Sequence, residues 1–100
     1  MCSLGVTLPS TVFGYADASS SLDAGIMGVC FGYPHNTGYY NVIDQLAADG
    51  YINSKLFSLA LGSVEADAGE IIFGGVDVLK YSGDLVSVPI IFPGPDGNYR

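Results

Sequence analysis

Phe57-Ser58-Leu59-Ala60-Leu61, followed after a polar interval by Glu70-Ile71-Ile72-Phe73-Gly74-Gly75-Val76-Asp77, decides the fold class of this chain. The first run alternates bulky and small side chains, the period of a strand that presents one apolar face for burial. The second restores an apolar run after Gly62 to Gly69, an interval rich in small and charged residues. Two such runs joined by a short polar segment predict a hairpin between Phe57–Leu61 and Glu70–Phe73. Glu65, Asp67 and Glu70 gather near its tip. They lack the alternating ligand spacing and central glycine of a calcium loop, so a solvated tip is expected and no metal.

Working outward, Val42 to Asp49 is the one good helix. Val42, Ile43, Leu46 and Ala47 fall on one face at helical spacing. Asn41 suits the N-cap, with Asp44 three residues on, where a carboxylate also suits the helix dipole. Gly50 stands where helices commonly end in the left-handed conformation. A short turn around Asn53 to Leu56 leads into the hairpin. Upstream, Val12-Phe13-Gly14-Tyr15-Ala16 reads as a short strand, and Asp17 to Ser21 as a polar linker. Leu22 to Phe31 follows a strand pattern interrupted by Gly25 and Gly28, which implies a close backbone or ligand approach. Leu85-Val86-Ser87-Val88-Pro89-Ile90-Ile91 reads as a final strand, with Pro89 at an edge or bulge, and Pro93 to Asn98 as a turn. The fold class is therefore mainly β with one short helix.

Composition narrows the functions. The chain has 100 residues, enough for one domain or part of one, with 49% apolar and only 13% charged residues. It is built to bury surface. Ten acidic residues against three basic ones, Lys55, Lys80 and Arg100, give a formal charge of −7. Such a surface repels a phosphate backbone, so nucleic acid is not an expected partner. Every long apolar stretch is broken by Gly, Pro, His or Asn, which rules out a helical membrane span. The first residues, Met1 to Thr7, have neither the cationic start nor the apolar run of a signal peptide.

Cys2 and Cys30 form no metal or redox spacing. One disulfide, two free thiols, or a Cys2 paired elsewhere are all open. His35 is the single histidine and lies in Gly32-Tyr33-Pro34-His35-Asn36-Thr37-Gly38, a turn-rich loop. A Ser-His-Asp or Cys-His site would have to rest on it, and the loop setting argues for an ordinary exposed residue.

Taken in order, Leu22-Asp23-Ala24-Gly25-Ile26-Met27-Gly28-Val29, the helix with Tyr51-Ile52, Phe57 to Leu61, Ile71 to Asp77, and Lys80-Tyr81-Ser82-Gly83-Asp84-Leu85 through Ile90 resemble the middle of a pepsin-like aspartic protease of the peptidase A1 family. The likeness is to secreted fungal members and runs from about Phe13 to Phe92. It implies a partial acid-protease fold: residues 1–56 as the end of the first lobe, 57–75 as a hairpin of the inter-lobe sheet, and 76–100 as the start of the second lobe. It also implies an aspartic endopeptidase acting on peptide or protein substrates, without a cofactor, in a secreted or vacuolar parent of which this chain is an internal piece.

The same resemblance exposes a gap. Members of this family work through two aspartates, each in an Asp-Thr-Gly or Asp-Ser-Gly triplet, and neither triplet occurs in this sequence. Asp23, followed by Ala24-Gly25, comes nearest but lacks the hydroxyl residue and aligns elsewhere. No catalytic residue is therefore assigned, and the chain alone is expected to be inactive. Leu22 and Ile26 match family positions that line the apolar pocket for the side chain before the cleaved bond. They could equally pack the first lobe, and Ala24 leaves the register open by one residue. A non-catalytic pepsin-like binding or inhibitor protein is the alternative function, and an unrelated β-rich domain a third.

Overall fold

A computed structural model describes residues 2, 3 and 5–91. The elements run β1 (Cys2–Ser3), β2 (Val6–Thr7), α1 (Val42–Ala48), β3 (Phe57–Leu61), β4 (Gly69–Phe73) and a 3₁₀ turn (Val78–Lys80). Two small antiparallel pairs, β1 with β2 and β3 with β4, make up the sheet structure of the described residues. The turn of Pro93 to Asn98 lies outside the described residues.

The hairpin forms where the alternation places it. Phe57 faces Phe73, Leu59 faces Ile71 and Leu61 faces Gly69, so the bulky residues of β3 share a face with Ile71 and Phe73. The ladder is extended by Gly74 N–H donating to the Leu56 carbonyl at 2.7 Å. Its apolar face is covered only at one end, however: Phe57 and Phe73 are half-buried, while Leu59 is 59% and Leu61 82% exposed. Alternation sets which side chains share a face, but burial needs a second layer, and none of the described elements supplies one.

α1 is closed at both ends by its own sequence. Asn41 Oδ1 accepts from Asp44 N–H at 2.9 Å, and Asp44 Oδ2 accepts from Asn41 N–H at 3.1 Å, a reciprocal capping box. At the other end Gly50 has φ +80°. Gly50 N–H donates to Ala47 O and Tyr51 N–H to Leu46 O, the paired bonds of a Schellman turn. The glycine is needed there because an L side chain rarely adopts that conformation. The core is small and sits on the inner face of this helix: Leu8, Ile43 and Leu46 are the buried apolar side chains among the described residues. Tyr51 Oη donates to Thr7 O at 3.2 Å and so ties the helix exit to the end of β2.

Three expected strands are absent. Residues 12–16, 22–31 and 85–91 carry no strand pairing. Phe13, Tyr15, Ile26, Val86 and Val88 in them are largely exposed. A strand exists only through a ladder with a neighbour, and an apolar pattern without a partner leaves extended, solvated chain. The β1–β2 hairpin, conversely, was not expected. It turns at Gly5, whose φ is +83°.

Candidate functional site

Two clefts flank the loop of residues 30–37. The first encloses about 800 Å³ and is lined by Val12, Phe13, Ile26, Met27 and Val42 among others. The second encloses about 680 Å³ between Phe31, Tyr33, His35, Lys55, Phe57 and Ile90. Cys30 and Asn41 line both, so the start of the loop and the cap of α1 form the wall between them.

That wall is held by one carboxylate. Asp44 is only 3% exposed. Its Oδ2 accepts from Tyr33 N–H at 2.8 Å as well as from Asn41 N–H, and its Oδ1 accepts from Lys55 Nζ at 2.7 Å. Asn41 Nδ2 reaches from the helix cap to the Cys30 carbonyl at 2.9 Å. Within the loop, the Gly32 carbonyl accepts from Asn36 N–H at 2.8 Å and Thr37 N–H at 3.3 Å. Lys55 Nζ also lies 5.9 Å above the Tyr40 ring, which packs at a tilt on Tyr33 with centroids 5.3 Å apart. Burial pushes the Asp44 carboxyl up. The hydrogen bonds from Lys55, Tyr33 and Asn41, with the Lys55 charge, outweigh that and hold it below the usual carboxylate value. A buried carboxylate with three charge-assisted or backbone donors is a structural anchor. The structural role expected of Asp44 from its place on the helix is thus met and enlarged.

Of the two sequence-derived pocket residues, Ile26 lines the first cleft and is 82% exposed. Leu22 is not among the residues lining either cleft and is 46% exposed. Neither of these two clefts therefore holds both residues. His35 is an exposed loop residue, its ring edge-on to Phe31 at 6.5 Å. Cys30 is a free, exposed thiol. Among the described residues no group of His, Cys, Asp and Glu could hold a metal ion, and no helix is long and apolar enough to cross a membrane.

Lys55 and Gly32 went unnoticed in the sequence. Lys55 had a signal: it is one of three basic residues in a chain with ten acidic ones, and a scarce cation beside a helix invites an acidic partner. Gly32 had none, because the need for glycine arises from the approach of Asp44 in space.

Comparison with known proteins gives the class. Residues 4–97 match the family model described as eukaryotic aspartyl protease, and the chain belongs to that family. It is 45% identical over 78 residues to secreted aspartic protease 8 of Candida albicans, a match covering 76% of this chain and 19% of that protein. It is 44% identical over 78 residues to secreted aspartic protease 3 of the same species, covering 76% and 20% respectively. Candidapepsin-4 of Candida albicans (strain WO-1) is 41% identical over 90 residues, covering 86% of this chain and 21% of that protein. The chain thus spans about a fifth of the length of these relatives. No solved structure matches it at a significant level.

Proposed function

We propose that this chain is part of an aspartic endopeptidase that acts outside the cell on peptide or protein substrates. Support comes from the family match over residues 4–97 and from the similarity to secreted aspartic proteases 8 and 3 of Candida albicans. In the whole enzyme two aspartates share one proton, so that one activates water while the other protonates the scissile carbonyl. Neither Asp-Thr-Gly nor Asp-Ser-Gly occurs in these residues, so this chain supplies none of that pair. Its division into the end of a first lobe (1–56), an inter-lobe hairpin (57–75) and the start of a second lobe (76–100) belongs to the same reading.

Its own contribution is the wall of a substrate cleft. The observation that carries this is Ile26 standing exposed in an apolar cleft beside Phe13 and Met27. Leu22, which lines neither cleft, is proposed with it as a residue for the side chain before the cleaved bond. The test is Ile26→Asp in the whole enzyme. We expect a raised KM for substrates with an apolar residue before the cleaved bond, with kcat far less affected. An unchanged KM would mean that Ile26 does not contact substrate.

The second reading is a pepsin-like binding or inhibitor protein without catalysis. Reading the flanking coding sequence separates the two. Two intact triplets support the enzyme, and substituted ones support the binding protein.

A further inference from the structure

Residues 9–29 take part in none of the backbone or side-chain hydrogen bonds among the described residues. Thr11 Oγ1 is buried there and still has no partner. Apart from Thr11 and Val29 the whole stretch is exposed. Its two aromatic side chains, Phe13 and Tyr15, are 81% and 88% exposed. Residues 30–80, by contrast, are laced by the Asp44 bonds, the caps of α1 and the β3–β4 ladder. We propose that residues 12–16 are a cleavage site for an acid endopeptidase, cut after Phe13 or Tyr15, so that the chain is itself a substrate for the class of enzyme to which its family belongs.

A protease takes its substrate as extended backbone, so a segment held in a helix or a ladder must open before it can be cut. Residues 9–29 have no such bonds to open, and exposed chain of this kind is where nicking concentrates. Phe13 and Tyr15 each offer a large apolar side chain to a pocket for the residue before the cleaved bond. Each is followed by a small residue, Gly14 or Ala16, which leaves the carbonyl open to attack. The step is a hydrolysis. The oxygen of water bonds to the carbonyl carbon of Phe13 or Tyr15, and the C–N bond to Gly14 or Ala16 breaks. One hydrogen of the water goes to the new amine and the other stays with the new carboxyl group.

Other exposed apolar side chains are less suited. Leu61 sits in the β3 ladder, and Leu79 in the 3₁₀ turn, where its N–H donates to Asp77 Oδ1 at 2.9 Å. Residues 81–91 make no hydrogen bond among the described residues either. There, however, Val86, Val88 and Ile90 are β-branched, which crowds the carbonyl, and Leu85 is followed by one of them. Within residues 9–29, Ile26 is β-branched too, and Leu22 and Met27 are only about half as exposed as Tyr15. The site stands whether or not the parent protein is catalytic, because the cut needs only an acid endopeptidase in its surroundings.

Brief digestion of the full chain with pepsin in mild acid, read by mass spectrometry, tests the site. Among cuts within residues 5–91, the first are expected after Phe13 and Tyr15, with residues 30–80 left whole. Chymotrypsin, which takes aromatic side chains at neutral pH, should begin at the same two bonds, under conditions where acid cannot have loosened the fold. The double variant Phe13→Asn/Tyr15→Asn changes only exposed side chains, and should slow cutting within residues 12–16 by at least about tenfold with either protease. First cuts elsewhere within residues 5–91 by either protease would overturn the site. So would the absence of any cut in residues 12–16, or a double variant cut there at the wild-type rate.

Discussion

Gly32 packs so closely against Asp44 that a β-carbon on it would overlap the carboxylate Oδ2 and come within 2.7 Å of the Asn41 side chain. The constraint is one of space, since Gly32 is buried and the atoms it meets are fixed by hydrogen bonds. We predict that Gly32→Ala displaces the carboxylate from Tyr33 and Asn41 and costs roughly 2–3 kcal/mol. Gly28 has nothing within 4 Å of its own virtual β-carbon, so Gly28→Ala should stay within about 0.5 kcal/mol of wild type. Denaturant melts of the two variants make the comparison, and equal melts would mean that the close approach is not rigid.

Asn41 has two separable duties, and substitutions can split them. Asn41→Ala loses both the cap to Asp44 N–H and the bond to Cys30 O, and should cost about 1–2 kcal/mol with a loss of helical circular dichroism. Asn41→Asp keeps an oxygen for the cap but not the donor to Cys30. Its helix signal should be retained while amide protection in residues 30–37 falls.

The ion pair of Lys80 with Glu70, 2.9 Å apart, differs from that of Lys55 because both partners are about half exposed. Solvent and salt screen such a pair. Lys80→Ala is expected to leave the melting temperature unchanged within error, while Lys55→Met lowers it measurably by stranding a buried carboxylate.

Leu59, Leu61 and Ile71 form an uncovered apolar face on a hairpin whose edges are also open. Uncovered faces and open edges favour self-association. Size-exclusion chromatography should show this chain shifting to larger species as concentration rises, and Leu61→Lys should reduce the shift. A single monomeric peak at all concentrations would mean that this face is not adhesive.

The chain by itself should not cleave denatured haemoglobin at any acid pH, because it carries neither aspartate triplet. Pepstatin-sensitive cleavage that is lost on mutating a residue of this chain would contradict that.

The sequence by itself determined what depends on near neighbours. Alternation in Phe57–Leu61 set the hairpin, whose register places Leu59 opposite Ile71. Helical spacing from Val42, with Asn41 and Gly50 at the ends, set α1 to within one residue of its observed end. These outcomes are governed by bonds a few residues long. Only the tertiary structure decided whether a strand-like pattern becomes a strand. Residues 12–16, 22–31 and 85–91 have the pattern but no strand partner among the described residues. It also decided that Ile26 and not Leu22 lines the first cleft, and that Asp44 serves Tyr33 and Lys55, each 11 residues away, as well as its own helix. The reason is that a ladder, a cleft wall and a shared carboxylate are each made by segments distant in the chain, and no local pattern encodes which segments meet.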